Sequence, residues 1–181
     1  WTSDDPTSRT IDQDTQMWGF YLGNNPRVAL MSGAVSASTF GVGTLAIQFQ
    51  NGFVMGALGY ETAQAGTLPR LLTWIYPHGA SELTGVFVSG AAGFVMAVAL
   101  INPGRRSRMQ ALRESSKDAM VLLVQSMVMM GVAAPFEAYF SFNPAVPNIA
   151  KLLVGTLVLS GWIAFWTLVG REPAAPKKVA A

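Results

Sequence analysis

The sequence predicts an all-α fold, a polytopic transmembrane helical bundle. Two observations support this prediction. Hydrophobic residues make up 51% of the 181-residue chain and charged residues only 12%, whereas about a quarter of the residues in a soluble domain are charged. In addition, several stretches reach the roughly 18-residue length that crosses a bilayer without a single charged side chain. These features exclude an ordinary soluble domain.

Four long spans and one shorter segment are predicted in chain order. The long spans are residues 28–47, 83–101, 119–136 and 152–169. The glycine-rich stretch 51–65 has to return the chain between the first two, either as a short span or as a re-entrant hairpin with residues 71–76. Re-entrant backbone is tolerated in a membrane only where protein or a cavity surrounds it. The pair Asn25-Pro26 predicts a helix start, with proline at the first helical position.

Three regions follow from these spans. Residues 1–27 are predicted to be an extracytoplasmic segment, residues 28–170 the transmembrane bundle, and residues 171–181 a disordered cytoplasmic tail rich in Pro, Ala and Lys. The orientation follows from the basic residues, which concentrate in the loop after the second long span and in the tail. Basic loops stay on the cytoplasmic side. The loop carries Arg105, Arg106 and Arg108, and the tail carries Arg171, Lys177 and Lys178.

The basic loop has two interpretations. It either only sets the orientation, or it also binds anionic lipid headgroups or an acidic partner, at about 1 kcal/mol per basic residue.

One histidine and one carboxylate lie just before the start of the second long span. His78 is the only histidine of the chain, and Glu82 follows it by one helical turn, so both lie on one helix face. Ionisable residues inside a membrane are functional-site candidates by default. Three interpretations stay open: a structural helix-end contact, a proton or ion site that Glu61 and Glu137 could join, and a catalytic site.

Catalysis is the least supported of the three. A zinc hydrolase needs about three protein ligands and an open position, but the chain has one histidine and no cysteine. Ser81 beside His78 lacks any nucleophile signature, and no phosphate-binding loop is present. The prediction is therefore a protein without enzymatic activity, cofactor, metal or bound nucleic acid.

Small residues recur at four-residue spacing in three rows. Such rows allow close helix packing in lipid, and they predict either ordinary packing within the chain or a dimer seam or substrate path. The rows are Gly33, Ala37 and Gly41; Gly52 and Gly56; and Gly85, Ser89, Gly93 and Ala97.

Several of these motifs together resemble the stage II sporulation protein M (SpoIIM) family, from about Met17 to Gly170. The most specific part is Pro77-His78-Gly79 with Glu82-Leu83. The other parts are Asn24-Asn25-Pro26-Arg27-Val28-Ala29, the glycine-rich span to Gly43-Thr44, Asn51-Gly52 with Gly56, Gly90-Ala91-Ala92-Gly93, Pro103-Gly104-Arg105 and Glu137. Family members usually carry a further transmembrane helix before the stretch that begins here, so an upstream helix is expected to be missing.

The resemblance implies a scaffold in a bacterial or archaeal cytoplasmic membrane. The founding member holds two peptidoglycan-degrading partners during engulfment, and genes for MoxR-type AAA ATPases often lie near those of relatives. The expected function is a non-enzymatic scaffold or assembly subunit, self-associating or within a larger complex, in contact with membrane lipids and other membrane or envelope proteins. The alternatives are an ion- or proton-coupled transport unit that uses His78 and Glu82, and an accessory subunit of a larger membrane complex.

Overall fold

The computed structural model describes residues 10–169, and this part of the chain contains helices and short connections but no strand. The predicted all-α fold is therefore confirmed. The predicted disordered tail, 171–181, lies outside the described residues. The helices are α1 (Ile11–Ser38), α2 (Val42–Gln64), α3 (Leu68–Ile101), α4 (Arg108–Pro135), a π-helical segment (Phe136–Ser141) that continues α4, and α5 (Asn148–Leu168).

By length and composition, three helices of the described chain are able to cross a membrane: Leu68–Ile101, Arg108–Ser141 and Asn148–Leu168. The prediction of four long spans is thus only partly confirmed. The predicted spans 83–101 and 119–136 fall within the first two of these helices, and the span 152–169 falls within the third except for its last residue. The predicted span 28–47 is wrong, because it is divided between α1 and α2 by a turn at residues 39–41.

The turn between α1 and α2 reverses the chain. Phe40 and Gly41 have positive φ values of 53° and 92°, which a continuing right-handed helix does not contain. Thr39 stabilises the turn through its hydroxyl, which donates to the Val35 carbonyl at 2.6 Å and accepts from the Gly43 amide at 2.8 Å. Apolarity alone did not reveal this break, because threonine, phenylalanine and glycine are all compatible with a membrane span.

The segment 51–76 consists of the end of α2, a short connection at residues 65–67 and the start of α3, and α2 is not among the helices long and apolar enough to cross a membrane. Residues 51–64 belong to the continuous helix α2, which packs against α1 and α3, and residues 71–76 belong to α3. α3 continues through Pro77 to Ile101, so His78 lies inside a long helix rather than just before its start. At 1.5 Å per residue, His78 is about 15 Å along α3 from Leu68.

The predicted helix start at Asn25-Pro26 is also wrong. α1 begins at Ile11, where Thr10 and Gln13 form a reciprocal capping box, and Pro26 lies inside the helix. The boundary predicted between residues 27 and 28 therefore does not coincide with a helix end. The side chain of Asn25 is buried and contacts Glu137 instead of capping a helix.

α3 is the central helix and packs against all four other α-helices. Its row of small residues lies buried in these contacts. A Cβ atom added to Gly85 would meet Met130 of α4 at 3.2 Å, and one added to Gly93 would meet Thr44 of α2 at 2.5 Å. Ser89 is buried in the same row. The small residues thus let the backbones of neighbouring helices approach closely.

The first predicted row divides between two environments. A Cβ atom added to Gly33 would lie 3.0 Å from Leu123 of α4, and one added to Gly41 would lie 3.3 Å from Ala97 of α3. Ala37 is half-buried. The second row differs, because a Cβ atom at Gly52 or Gly56 would have no neighbouring atom within 4 Å. This row is open on the outside of the bundle.

α5 packs chiefly on α3. Gly155 accommodates the ring of Tyr76, and the indole of Trp162 donates to the Ser81 hydroxyl at 3.0 Å. Lys151 is fully buried near the start of α5, with its ammonium 4.9 Å from the centre of the Trp74 ring. α5 therefore closes one side of the bundle through a few specific contacts.

Candidate functional site

The structure brings together His78 and Glu82 of α3 and the carboxylate of Glu137, which follows α4 in the π-helical segment. One ligand atom from each of His78, Glu82 and Glu137 lies within 4.8 Å of the other two. His78 is buried, and both glutamates are half-buried. Helical spacing places Glu82 one turn after His78 on α3, whereas packing of the π-helical segment against α3 brings in Glu137.

The π-helical segment begins directly after Pro135, which has no backbone N–H to continue the regular α-helical pattern. π-helical turns are rare and occur frequently at functional sites. The segment carries two residues that reach the site. Glu137 joins the ionisable cluster, and Ser141 is buried against His78. The π-helical segment thus supplies two of the polar residues that surround His78, Glu137 and Ser141.

His78 is held by two neighbours. Its Nδ1 atom lies 2.8 Å from the Ser141 hydroxyl, and its ring centre lies 5.5 Å from that of Phe142. The hydrogen bond to Ser141 engages one ring nitrogen and leaves Nε2 for other contacts. The predicted neighbour Ser81 does not bond His78. Its hydroxyl donates to the Met129 carbonyl at 2.6 Å and accepts from Trp162.

Glu137 is tied to α1. The Asn25 amide donates to its carboxylate at 3.4 Å, and Asn24 donates to Asn25 at 3.3 Å. Asn25 is thus buried with a polar partner, whereas Asn24 is exposed beside it. No hydrogen bond or ion pair of the Glu82 carboxylate is found among residues 10–169.

The cluster opens onto a cavity of about 590 Å³ between α1, α2, α3 and the π-helical segment. Its wall is apolar except where Gln50, Asn51, His78, Glu82 and Glu137 contribute polar groups. The lining residues, all within the described chain, include no lysine or arginine. The cavity therefore concentrates acceptors and one imidazole without a fixed positive charge.

The remaining residues of the predicted site have separate positions. Asn51 lines the cavity, and its amide donates to the Ile47 carbonyl at 2.9 Å. Gly79 lines the same cavity, and a Cβ atom there would meet Ile75 at 2.8 Å. Gly52 lies on the open outer side of α2, away from the cluster. Glu61 is exposed and does not join the cluster, in contrast to Glu137.

The basic loop lies between α3 and α4. Arg105, Arg106 and Arg108 are all exposed. Arg106 bonds Glu114 in the first turns of α4, with Nη1 and Oε2 2.6 Å apart. The other arginines remain accessible to solvent or to lipid headgroups.

Sequence reasoning missed Ser141 and the compactness of the cluster. The sequence analysis predicted no metal site, because a single histidine without cysteine does not form a local ligand motif. Ser141 had no signal beyond its place after Glu137. A four-residue spacing between Glu137 and Ser141, matching that between His78 and Glu82, was the one available hint.

Comparison with known sequences gives one family. The family model described as stage II sporulation protein M matches residues 2–142, which include α1 to α4 and the complete ionisable cluster. α5 lies beyond the matched part. No curated protein and no solved structure matches the chain.

Proposed function

The chain belongs to the stage II sporulation protein M family, and we propose that it is a non-catalytic membrane scaffold or assembly subunit that binds other membrane or envelope proteins. The observation that carries this proposal is the α2 glycine face, formed by Gly52, Gly56 and Gly59. A Cβ atom at any of the three would have no neighbouring atom within 4 Å. The face is therefore a close-approach surface that no described helix of this chain occupies.

A row of small residues in a membrane helix favours association, because van der Waals contact between backbones replaces the missing hydrophobic force. Gly33 of α1 and Gly155 of α5, by contrast, face side chains inside the bundle. On α2, Phe49 and Phe53 are also exposed beside the open face. This combination fits a helix of a second copy or of a different membrane protein.

The proposed orientation of the scaffold rests on the exposed arginines. Arg105, Arg106 and Arg108 in the α3–α4 loop favour a cytoplasmic position for that loop by the positive-inside rule. Since α4 and α5 follow as two crossings, the C-terminus is also cytoplasmic, and the α4–α5 connection faces outward. Envelope partners would then meet the end of the bundle that carries the ionisable cluster. The membrane is the cytoplasmic membrane of a bacterium or an archaeon.

The contacts of Ser81 argue against the one serine nucleophile that the sequence suggested. Ser81, the serine closest to His78 in sequence, is engaged by the Met129 carbonyl and the Trp162 indole. A nucleophilic serine needs a base within hydrogen-bonding reach. His78 bonds Ser141 instead.

The experiment is extraction of the protein from its native membranes into nanodiscs, followed by native mass determination. We expect the wild type to be recovered in a complex with a second copy or with other proteins. Gly56→Leu should reduce that recovery about tenfold, because a leucine fills the open face and keeps backbones apart.

Gly161→Leu is the matched control, since Gly161 of α5 also faces open space but has no glycine one turn away. It should leave the complex intact. Recovery of the wild type as a lone monomer would contradict the scaffold function, and so would an undiminished complex in Gly56→Leu.

The cavity favours a second candidate, an ion- or proton-coupled transport unit. Its specific support is the polar end formed by His78, Glu82 and Glu137 in an otherwise apolar wall. Reconstituted liposomes would test it. We expect ion or proton flux that Glu82→Gln abolishes, and a wild-type flux no greater than that of protein-free vesicles would rule this candidate out.

A further inference from the structure

We infer that His78, Glu82 and Glu137 bind one divalent first-row transition-metal ion of the Mn²⁺, Fe²⁺ or Zn²⁺ class. This inference does not rest on the scaffold function, because a metal ion held inside the bundle is compatible with any partner. It also does not require that the ion cross the membrane.

The distances are slightly longer than those between the ligands of a single ion. Metal–nitrogen and metal–oxygen bonds of about 2.0–2.2 Å place two ligands of one ion at most about 4.4 Å apart. The three ligand atoms already lie within 4.8 Å of one another. Small rotations of the two glutamate side chains would therefore complete three protein ligands, with further positions left for water from the cavity.

Ser141 and Asn25 supply the supporting contacts that metal ligands need. A metal-binding histidine almost always donates its other ring N–H to an oxygen, which fixes the tautomer and the ring orientation. The Ser141 hydroxyl at 2.8 Å from Nδ1 is in that position, so Nε2 is the ligand nitrogen. The Asn25 amide orients the Glu137 carboxylate in the same way.

The composition of the cavity is also compatible with a cation. Two carboxylates share a half-buried site, and the residues that line the cavity include no lysine or arginine. A divalent ion at this position would contact both carboxylates and the imidazole together.

The donor types select the class of ion. Carboxylates alone would suit Mg²⁺ or Ca²⁺, which prefer all-oxygen ligands. One imidazole with two carboxylates shifts the preference towards Mn²⁺, Fe²⁺ and Zn²⁺. The absence of cysteine from the whole sequence argues against a soft ion such as Cu⁺.

The test is equilibrium binding to the full chain in nanodiscs after removal of metal with EDTA. Co²⁺ and Mn²⁺ are the probes, because Co²⁺ absorption reports the ligand set and Mn²⁺ paramagnetic resonance reports the free ion. We expect saturation at one equivalent, competition by Zn²⁺, and little competition by Mg²⁺.

Single substitutions distinguish metal binding at the cluster from metal binding at exposed carboxylates. Glu82→Gln and Glu137→Gln should each raise the Kd at least tenfold, and Ser141→Ala, which removes only the supporting hydrogen bond, should raise it about tenfold to a hundredfold. Glu61→Gln is the matched control, because Glu61 is exposed and lies outside the cluster. Its Kd should equal that of the wild type.

Two results would overturn the inference. One is the absence of saturable Co²⁺ and Mn²⁺ binding in a wild-type protein that unfolds cooperatively. The other is binding that Glu82→Gln and Glu137→Gln leave as unchanged as Glu61→Gln does. The glutamine variants preserve the shape of the side chain. If their melting profiles match that of the wild type, a loss of metal binding does not result from unfolding. Neither result bears on partner recovery in the Gly56→Leu experiment.

Discussion

Replacing Gly93 with alanine tests whether α1, α2 and α3 meet as closely as the structure shows. A Cβ atom at Gly93 would lie 2.5 Å from the Thr44 hydroxyl oxygen and 2.7 Å from the Ser36 Cβ. Real Cβ contacts are not this short, so at least one helix has to move. Because Thr44 and Ser36 are themselves buried, the movement has to separate backbones rather than rotate an exposed side chain.

The magnitude follows from two opposing effects. Inserting a methyl group into a packed core costs about 1–3 kcal/mol of unfolding free energy. Alanine also gains about 0.5–1 kcal/mol over glycine in a helix interior. Gly52→Ala is the matched control, because the same methyl group on α2 meets no atom within 4 Å. The helix gain cancels between the two variants, so Gly93→Ala should be less stable than Gly52→Ala by about 1–3 kcal/mol.

The assay is reversible unfolding in detergent micelles, followed by helix content as denaturant is added. A second substitution tests whether the contact with Thr44 causes the loss of stability. Thr44→Ala removes the atom closest to the new methyl group, so it should recover part of the loss when combined with Gly93→Ala. Equal stabilities of Gly93→Ala and Gly52→Ala would refute the close crossing of the three helices. Loss of stability in Gly52→Ala as well would indicate that the open face of α2 is occupied.

Two further predictions concern contacts that hold α3 to α5 and α4. The Lys151 ammonium lies 4.9 Å from the Trp74 ring centre and has no hydrogen-bond partner among residues 10–169. A double-mutant cycle of Lys151→Met and Trp74→Leu should therefore give a coupling free energy of about 0.5–2 kcal/mol. Additive changes in the unfolding free energy would disprove the cation–π contact. The Ser126 hydroxyl donates to the Gly85 carbonyl at 2.6 Å. Ser126→Ala should therefore lower the unfolding free energy by about 0.6–1.7 kcal/mol. An unchanged unfolding free energy would show that this hydrogen bond between α3 and α4 does not contribute to stability.

Much of the helical architecture was predictable from local sequence. The apolar stretches 83–101, 119–136 and, except for its last residue, 152–169 lie in helices long enough to cross a membrane. Hydropathy works here because each residue contributes to membrane compatibility nearly independently of its partners. It failed at the turn of residues 39–41, where the chain reverses through Phe40 and Gly41 without any charged or strongly polar residue.

The candidate site was predictable in part. His78 and Glu82 follow from helical spacing, and Glu137 was named among the acids that could join them. The difference in outcome between Glu61 and Glu137 was not predictable, since both are single glutamates near apolar segments. Packing decides it: the π-helical segment lies against α3 and α1, whereas Glu61 lies on an exposed side of α2.

The sequence by itself determined that this protein is an all-helical membrane protein of its family, and it identified the histidine and the glutamates able to do chemistry. These properties are sums over local features, such as apolarity, helical spacing and motif identity. Only the tertiary structure decided that the glycine row of α3 is buried while that of α2 is open, and that Glu137 and Ser141 meet His78. Such pairings depend on how distant helix faces fit together, and side-chain packing sets that fit only when all the helices are in place.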